Sequence, residues 1–215
     1  MDESLEKLAA RAEVYRLLSQ AYHTPEVSFL KGDFLGSLVR ALDTLALDSC
    51  AGEVKNVESY LQALQESVEL AVEYTRLFRG PVKAEVYPYE SMYIGGEVIG
   101  NSTLDVVRRY EEAGVAVADG FKDLPDHISA ELEFMHYLCG RALDALERGA
   151  NDEATRFRCM GQTFLKDHLN KWVPQFTDLI MQYATTPYYL TIAEITQEFI
   201  IREATLLENV AEKSK

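Results

Sequence analysis

A ten-residue window of the chain gathers most of the residues that could do chemistry: His127, Glu131, Glu133 and His136. His and Glu are metal ligands, and Glu133-x-x-His136 has the spacing that di-iron helical bundles use. Helical geometry divides the four. At about 100° per residue, His127 and Glu131 lie ~40° apart, while Glu133 and His136 lie ~60° apart on nearly the opposite side. No second Glu-x-x-His exists to complete a di-iron site. His168 has no carboxylate-rich helix turn around it. A metal site is not expected, and Glu133 and His136 read as exposed polar residues.

Nucleophilic catalysis has equally thin support. Cys139 with His136 is a conceivable pair, but Cys139 falls on the apolar stripe of its helix, where a thiol is inert. Ser91 lacks the G-x-S-x-G elbow. The stretch Gly95-Gly-Glu-Val-Ile-Gly100 sets glycines before a helix start, where backbone N–H groups can meet an anion. It has no P-loop lysine, and Glu97 would repel phosphate, so it reads as a turn and a capped helix. Arg108-Arg109 lies inside a helix with Tyr-Glu-Glu behind it, unlike an export leader, and reads as surface charge.

What remains is aromatic. Tyr74, Leu77, Phe78, Tyr87, Pro88, Tyr89 and Tyr93 fall within twenty residues. Such residues more often pack a core, yet loops on rigid helices also carry binding sites. A groove of these groups, rimmed by Glu85, Glu90 and Asp126, would suit an apolar segment bearing positive charge.

Helices must position these groups. Apolar residues step by three and four along most of the chain, as in Leu5, Leu8, Ala12, Tyr15, Leu18 and Tyr22. The spacing predicts helices over about 5–23, 29–47, 54–78, 101–113, 123–149, 152–183 (bent near Pro174) and 187–210. The third stripe includes Val57, Leu61, Leu64, Val68 and Ala71. Asp123 is predicted to cap the long helix, with Pro125 and Asp126 in its first turn. Its buried stripe is Ile128, Leu132, Met135, Cys139, Ala142 and Leu146. Residues 81–101 form a long irregular loop able to act as a hinge, and Gly114–Gly120 also reads as loop. The expectation is one all-α domain over 1–215.

Composition narrows the class. Acidic residues outnumber basic ones 35 to 21, for a net charge of −14. No Lys/Arg block appears, so nucleic acid is not an expected partner. The acidic start, MDESLEKLAARAEVYRLL, is not a secretory signal. No apolar run approaches the ~20 residues of a membrane span. Cys50, Cys139 and Cys159 are odd in number and widely spaced, which fits a reducing compartment. The expected location is the cytoplasm.

Three stretches are similar to a known family. They are Glu73-Tyr-Thr-Arg-Leu-Phe-Arg-Gly-Pro81 with Tyr87-Pro-Tyr-Glu-Ser91; Leu124-Pro-Asp-His127 leading into Glu131-Leu-Glu-Phe-Met135; and Phe164-Leu-Lys-Asp-His-Leu-Asn-Lys-Trp-Val-Pro-Gln-Phe176. Their order and spacing resemble the TorD/DmsD/NarJ family of redox-enzyme maturation chaperones. The resemblance implies an all-α fold of roughly ten helices and no catalysis or cofactor. It implies a partner: the twin-arginine leader and catalytic subunit of a molybdenum-cofactor oxidoreductase. It maps leader binding to Tyr74, Leu77, Phe78, Pro88, Tyr89, Gly100, Asp126 and His127, and Glu90 joins them as a rim carboxylate. Asp126 would meet a leader arginine while His127 supports the wall. Three departures stand out: Val82 where an aromatic is common, Tyr74 where some members have Trp, and an acid displaced to Asp123. A metal-dependent helical-bundle enzyme and a helical adaptor without leader specificity are the competing readings. Monomer and dimer are both open.

Overall fold

The structure is a computed structural model that describes residues 4–26, 30–47, 51–64, 68–80, 84–118 and 120–213. Among the described residues it is helical throughout, and no strand forms. The only extended pairing there is a single antiparallel bridge between Tyr89 and His127. Cys50 and Val82 lie outside the described residues.

Helix α1 spans Leu5–Ala21 and opens on Ser4, whose hydroxyl accepts from the Lys7 N–H. The second predicted helix is shorter than its apolar spacing implied. Gly32 and Asp33 leave helical angles, and the Asp33 carboxylate accepts from Ser37 and Arg40 instead. The regular helix α2 is Leu35–Thr44. The predicted third helix is two, α3 (Ala51–Ala63) and α4 (Val68–Tyr74), the latter running into a wider π-type turn at Thr75–Arg79. Val68, placed on the buried stripe, is 59% exposed. The spacing of Leu61, Leu64 and Leu70, all buried, conceals the break.

The middle loop contains a short helix α5 (Glu90–Ile94), followed by α6 (Asn101–Glu112) as expected. The long helix α7 is Ile128–Glu147, and its N-cap is His127, not Asp123. The reason is tertiary: the bridge to Tyr89 holds His127 extended (φ −71°, ψ 139°), so helical turns begin only after it. His127 Nδ1 then accepts from the Ser129 N–H at 3.1 Å. Helices α8 (Asn151–Phe164) and α9 (Asn170–Tyr183) are joined by a π-type turn at Leu165–Leu169. The ladder widens there, ahead of Pro174, which has no N–H to contribute. Helix α10 is Pro187–Lys213.

Helix α7 packs between α1 and α8, and α9 packs on α10. One buried apolar cluster runs from Leu8 to Ile200 and includes Trp172 and Phe176. Among the described residues no helix is long and apolar enough to cross a membrane.

Candidate functional site

The three motifs meet in space. Beside the Tyr89–His127 bridge, the Glu90 N–H donates to the Asp126 carbonyl at 3.0 Å, and the Ile128 N–H donates to the Pro88 carbonyl at 2.9 Å. Successive side chains on an extended segment point opposite ways. Tyr89 is therefore half-buried at the surface, while Glu90 and Asp126 are turned inward, 1% and 0% exposed. The expected rim loses both carboxylates: of the three proposed, only Glu85 is exposed. Asp126 Oδ2 accepts from the Ser91 N–H at 2.9 Å, bracing α5. A fully buried carboxylate offers no surface for an incoming arginine in this arrangement.

Asp123 lies nearer the surface, its side chain 15% exposed. It accepts from the Tyr89 hydroxyl at 2.7 Å and from Arg79 Nη2 at 2.8 Å. Partial burial pushes its pKa up. The Tyr89 hydrogen bond and the positive charges of His127, when protonated, and Arg79 outweigh that, so it lies below its ordinary value. The sequence alone points to Asp123 as a helix cap and assigns Arg79 no role. Its one available signal was the displaced acid of the second motif.

The remaining expected site residues lie deeper. Tyr74, Leu77 and Phe78 are buried, and the Phe78 ring packs against Tyr22, Tyr74, Phe176 and Tyr189. Pro88 is buried, and Gly100 is half-buried at the start of α6, outside the hydrogen-bonded group of Tyr89 and Asp123. The His127 ring is buried, 5.4 Å from the Tyr89 ring. Burial depresses its pKa to about 4, with only partial relief from Asp123, so the imidazole is neutral at pH 7.

Beneath the bridge lies a polar network that sequence reasoning missed. His168 Nδ1 stands 3.0 Å from Glu90, and its Nε2 stands 3.3 Å from Asp105. These carboxylates come from other helices, so no local pattern announces them. Glu131 accepts from Trp172 Nε1 at 3.0 Å. Burial and then the nearby Glu90 carboxylate raise its pKa well above the usual range, against the pull of Trp172. Among the described residues no cluster of three or more His, Cys, Asp or Glu could hold a metal ion. Cys139 is buried, as its stripe implied, and Glu133 is exposed; His136 is half-buried, with Nδ1 2.9 Å from the Ala12 carbonyl oxygen.

Next to the bridge opens an apolar groove of about 330 Å³, lined by His23, Val115, Phe121, Ala130, Glu133 and Tyr137 among others. Phe121 joins it to the polar group, its ring 6.5 Å from His23 and 6.2 Å from His127. The arrangement presents an apolar trough that includes Glu133 among its lining residues, with Asp123 two residues along the chain from Phe121. That can hold an apolar segment with a cation.

Residues 44–178 match the family described as nitrate reductase delta subunit. The chain belongs to that family, the TorD/NarJ group of maturation chaperones. Chaperone protein TorD of Vibrio parahaemolyticus is 28% identical over 190 residues, 84% of this chain and 80% of that one. TorD of Vibrio atlanticus is 28% identical, covering 88% and 90% of the two chains. A solved structure from Archaeoglobus fulgidus, described as a candidate redox enzyme maturation protein, has the same fold: TM-score 0.54, 21% identity, 93% of this chain and 95% of that one covered.

This is thus a chaperone of redox enzyme maturation and not a catalyst. Two departures from the family pattern acquire a physical setting. Tyr74 packs edge-on against Phe78. Asp123, one residue earlier than the acid of other members, is the carboxylate that Tyr89 and Arg79 share.

Proposed function

We propose that this chaperone binds, in the cytoplasm, the twin-arginine leader of a molybdenum-cofactor oxidoreductase precursor and holds it while the catalytic subunit matures. The observation that carries the reading is an apolar groove whose lining residue Phe121 packs against His127, the ring that also meets Tyr89, the donor to Asp123. A twin-arginine leader is a basic pair followed by an apolar stretch. The stretch would fill the groove, gaining ~25 cal/mol for each Å² removed from water. A guanidinium would meet Asp123 or Glu133 in a forked, charge-assisted hydrogen bond. The net charge of −14 would draw a basic peptide in from a distance.

In this reading Tyr89 touches the leader. Tyr74, Leu77, Phe78, Pro88, Glu90, Asp126 and His127 shape and stiffen the wall behind it, and Gly100 flanks it. The chain acts as one domain. No bond is made or broken, so no activated nucleophile is needed.

Calorimetric titration with a synthetic peptide, two arginines ahead of an apolar run, tests the proposal. Binding is expected, with a clear loss for Phe121→Ala and for Asp123→Asn. Absence of binding at low salt would leave the plain adaptor reading in its place.

A further inference from the structure

The surface carboxylate of the site is already occupied. Arg79 Nη2 donates to Asp123 Oδ2, and the Tyr89 hydroxyl donates to Oδ1, so both oxygens have partners. Arg79 reaches Asp123 from 44 residues away in sequence. It is the last residue of the Thr75–Arg79 turn, followed by Gly80 at φ 56°, where the chain leaves the helix. The Arg79 side chain is 46% exposed and that of Asp123 15%. A guanidinium on a carboxylate is the same contact that a client arginine would make.

Resting on the leader-binding reading, we propose that Arg79 is an internal stand-in for the client's arginine. It occupies Asp123 in the unbound chaperone and gives way when a leader arrives, which makes it a specificity-determining residue. Two properties of the pair support this. It can exchange, because the Arg79 side chain is nearly half exposed and reaches Asp123 through a single hydrogen bond from Nη2. It also leaves the carboxylate aimed, because the Tyr89 hydrogen bond holds Oδ1 whether or not Arg79 is present. An incoming peptide must therefore out-compete an arginine, and a peptide without one cannot. Discrimination built on a competing contact is a general device of selective binders. Tyr74, close to Arg79, and Asp123 both favour its charged form.

The test uses the full chain, a peptide with two arginines ahead of an apolar run, and the same peptide with both arginines changed to glutamine. Arg79→Gln is expected to bind the arginine peptide at least about two- to five-fold more tightly, the fold-change that even a fully exposed ion pair can be worth. Its affinity for the glutamine peptide should stay where it was. Arg79→Lys keeps the charge but not the guanidinium that donates Nη2 to Asp123, so it should fall between Arg79→Gln and the parent chain. That result separates loss of the stand-in from mere loss of a repelling charge. Asp123→Asn should narrow the preference for the arginine peptide over the glutamine peptide. Arginine-peptide binding that is unchanged or weaker in Arg79→Gln and Arg79→Lys overturns the stand-in while leaving leader binding intact. A parent chain that binds neither peptide overturns both.

Discussion

Replacing Glu131 by glutamine tests whether the buried network beneath the bridge is as dry as the structure makes it. Glu131 is fully buried, and its carboxylate accepts from Trp172 Nε1. Burial first, and the Glu90 carboxylate next, raise its pKa in the folded protein. In the unfolded chain it titrates at about 4.3. For an acid raised on folding, the native state keeps a proton that the unfolded state has lost. Stability then falls as pH climbs from the unfolded value to the folded one, by ~1.4 kcal/mol per pH unit. Glutamine keeps the shape and the oxygen that Trp172 needs, but cannot ionise. Glu131→Gln should match the parent near pH 4, gain on it at that slope as pH rises, and level off past the folded pKa. Urea unfolding of both proteins at half-unit steps between pH 4 and 8 gives the difference curve. Taking the difference cancels His127, whose contribution runs the opposite way. A stability difference that is flat in pH, or one that shrinks as pH rises, would refute the reasoning.

His127 should account for the acid side. Its pKa is depressed to about 4 in the fold, so stability is lost as pH falls from ~6.5 toward that value. His127→Asn, still a capable cap, should remove most of that loss in acid-induced unfolding monitored by circular dichroism. Asp126→Ala strands the Ser91 N–H and should cost about 1–3 kcal/mol in urea unfolding. Asp126→Asn retains an acceptor and, because the side chain is buried, should change leader affinity far less than Asp123→Asn does; equal losses would put Asp126 in contact with the peptide. Leader binding should weaken with salt but persist at 1 M, where the screening length is ~3 Å and apolar burial still operates. Calorimetry showing no salt dependence would dismiss the acidic groups.

The sequence alone determined the helical class and most helix positions, because three-and-four spacing is a local property that survives any tertiary arrangement. Leu8, Ala12, Tyr15 and Leu18 are buried as their spacing requires, and so are Ile128, Leu132, Met135 and Cys139. The three motifs also sufficed to point to the family, and the burial of Cys139 followed from its stripe. Tertiary structure decided which carboxylate faces outward. Tyr89 pairs with His127 across the chain, and in an extended pair neighbouring side chains take opposite sides. That pairing turned Glu90 and Asp126 into the interior, moved the N-cap of α7 from Asp123 to His127, and left Asp123 at the surface. His168 acquired Glu90 as a neighbour across 78 residues, and Arg79 acquired Asp123 across 44. No periodicity reports such contacts, because they depend on where two helices come to rest against each other and not on the residues that flank either one.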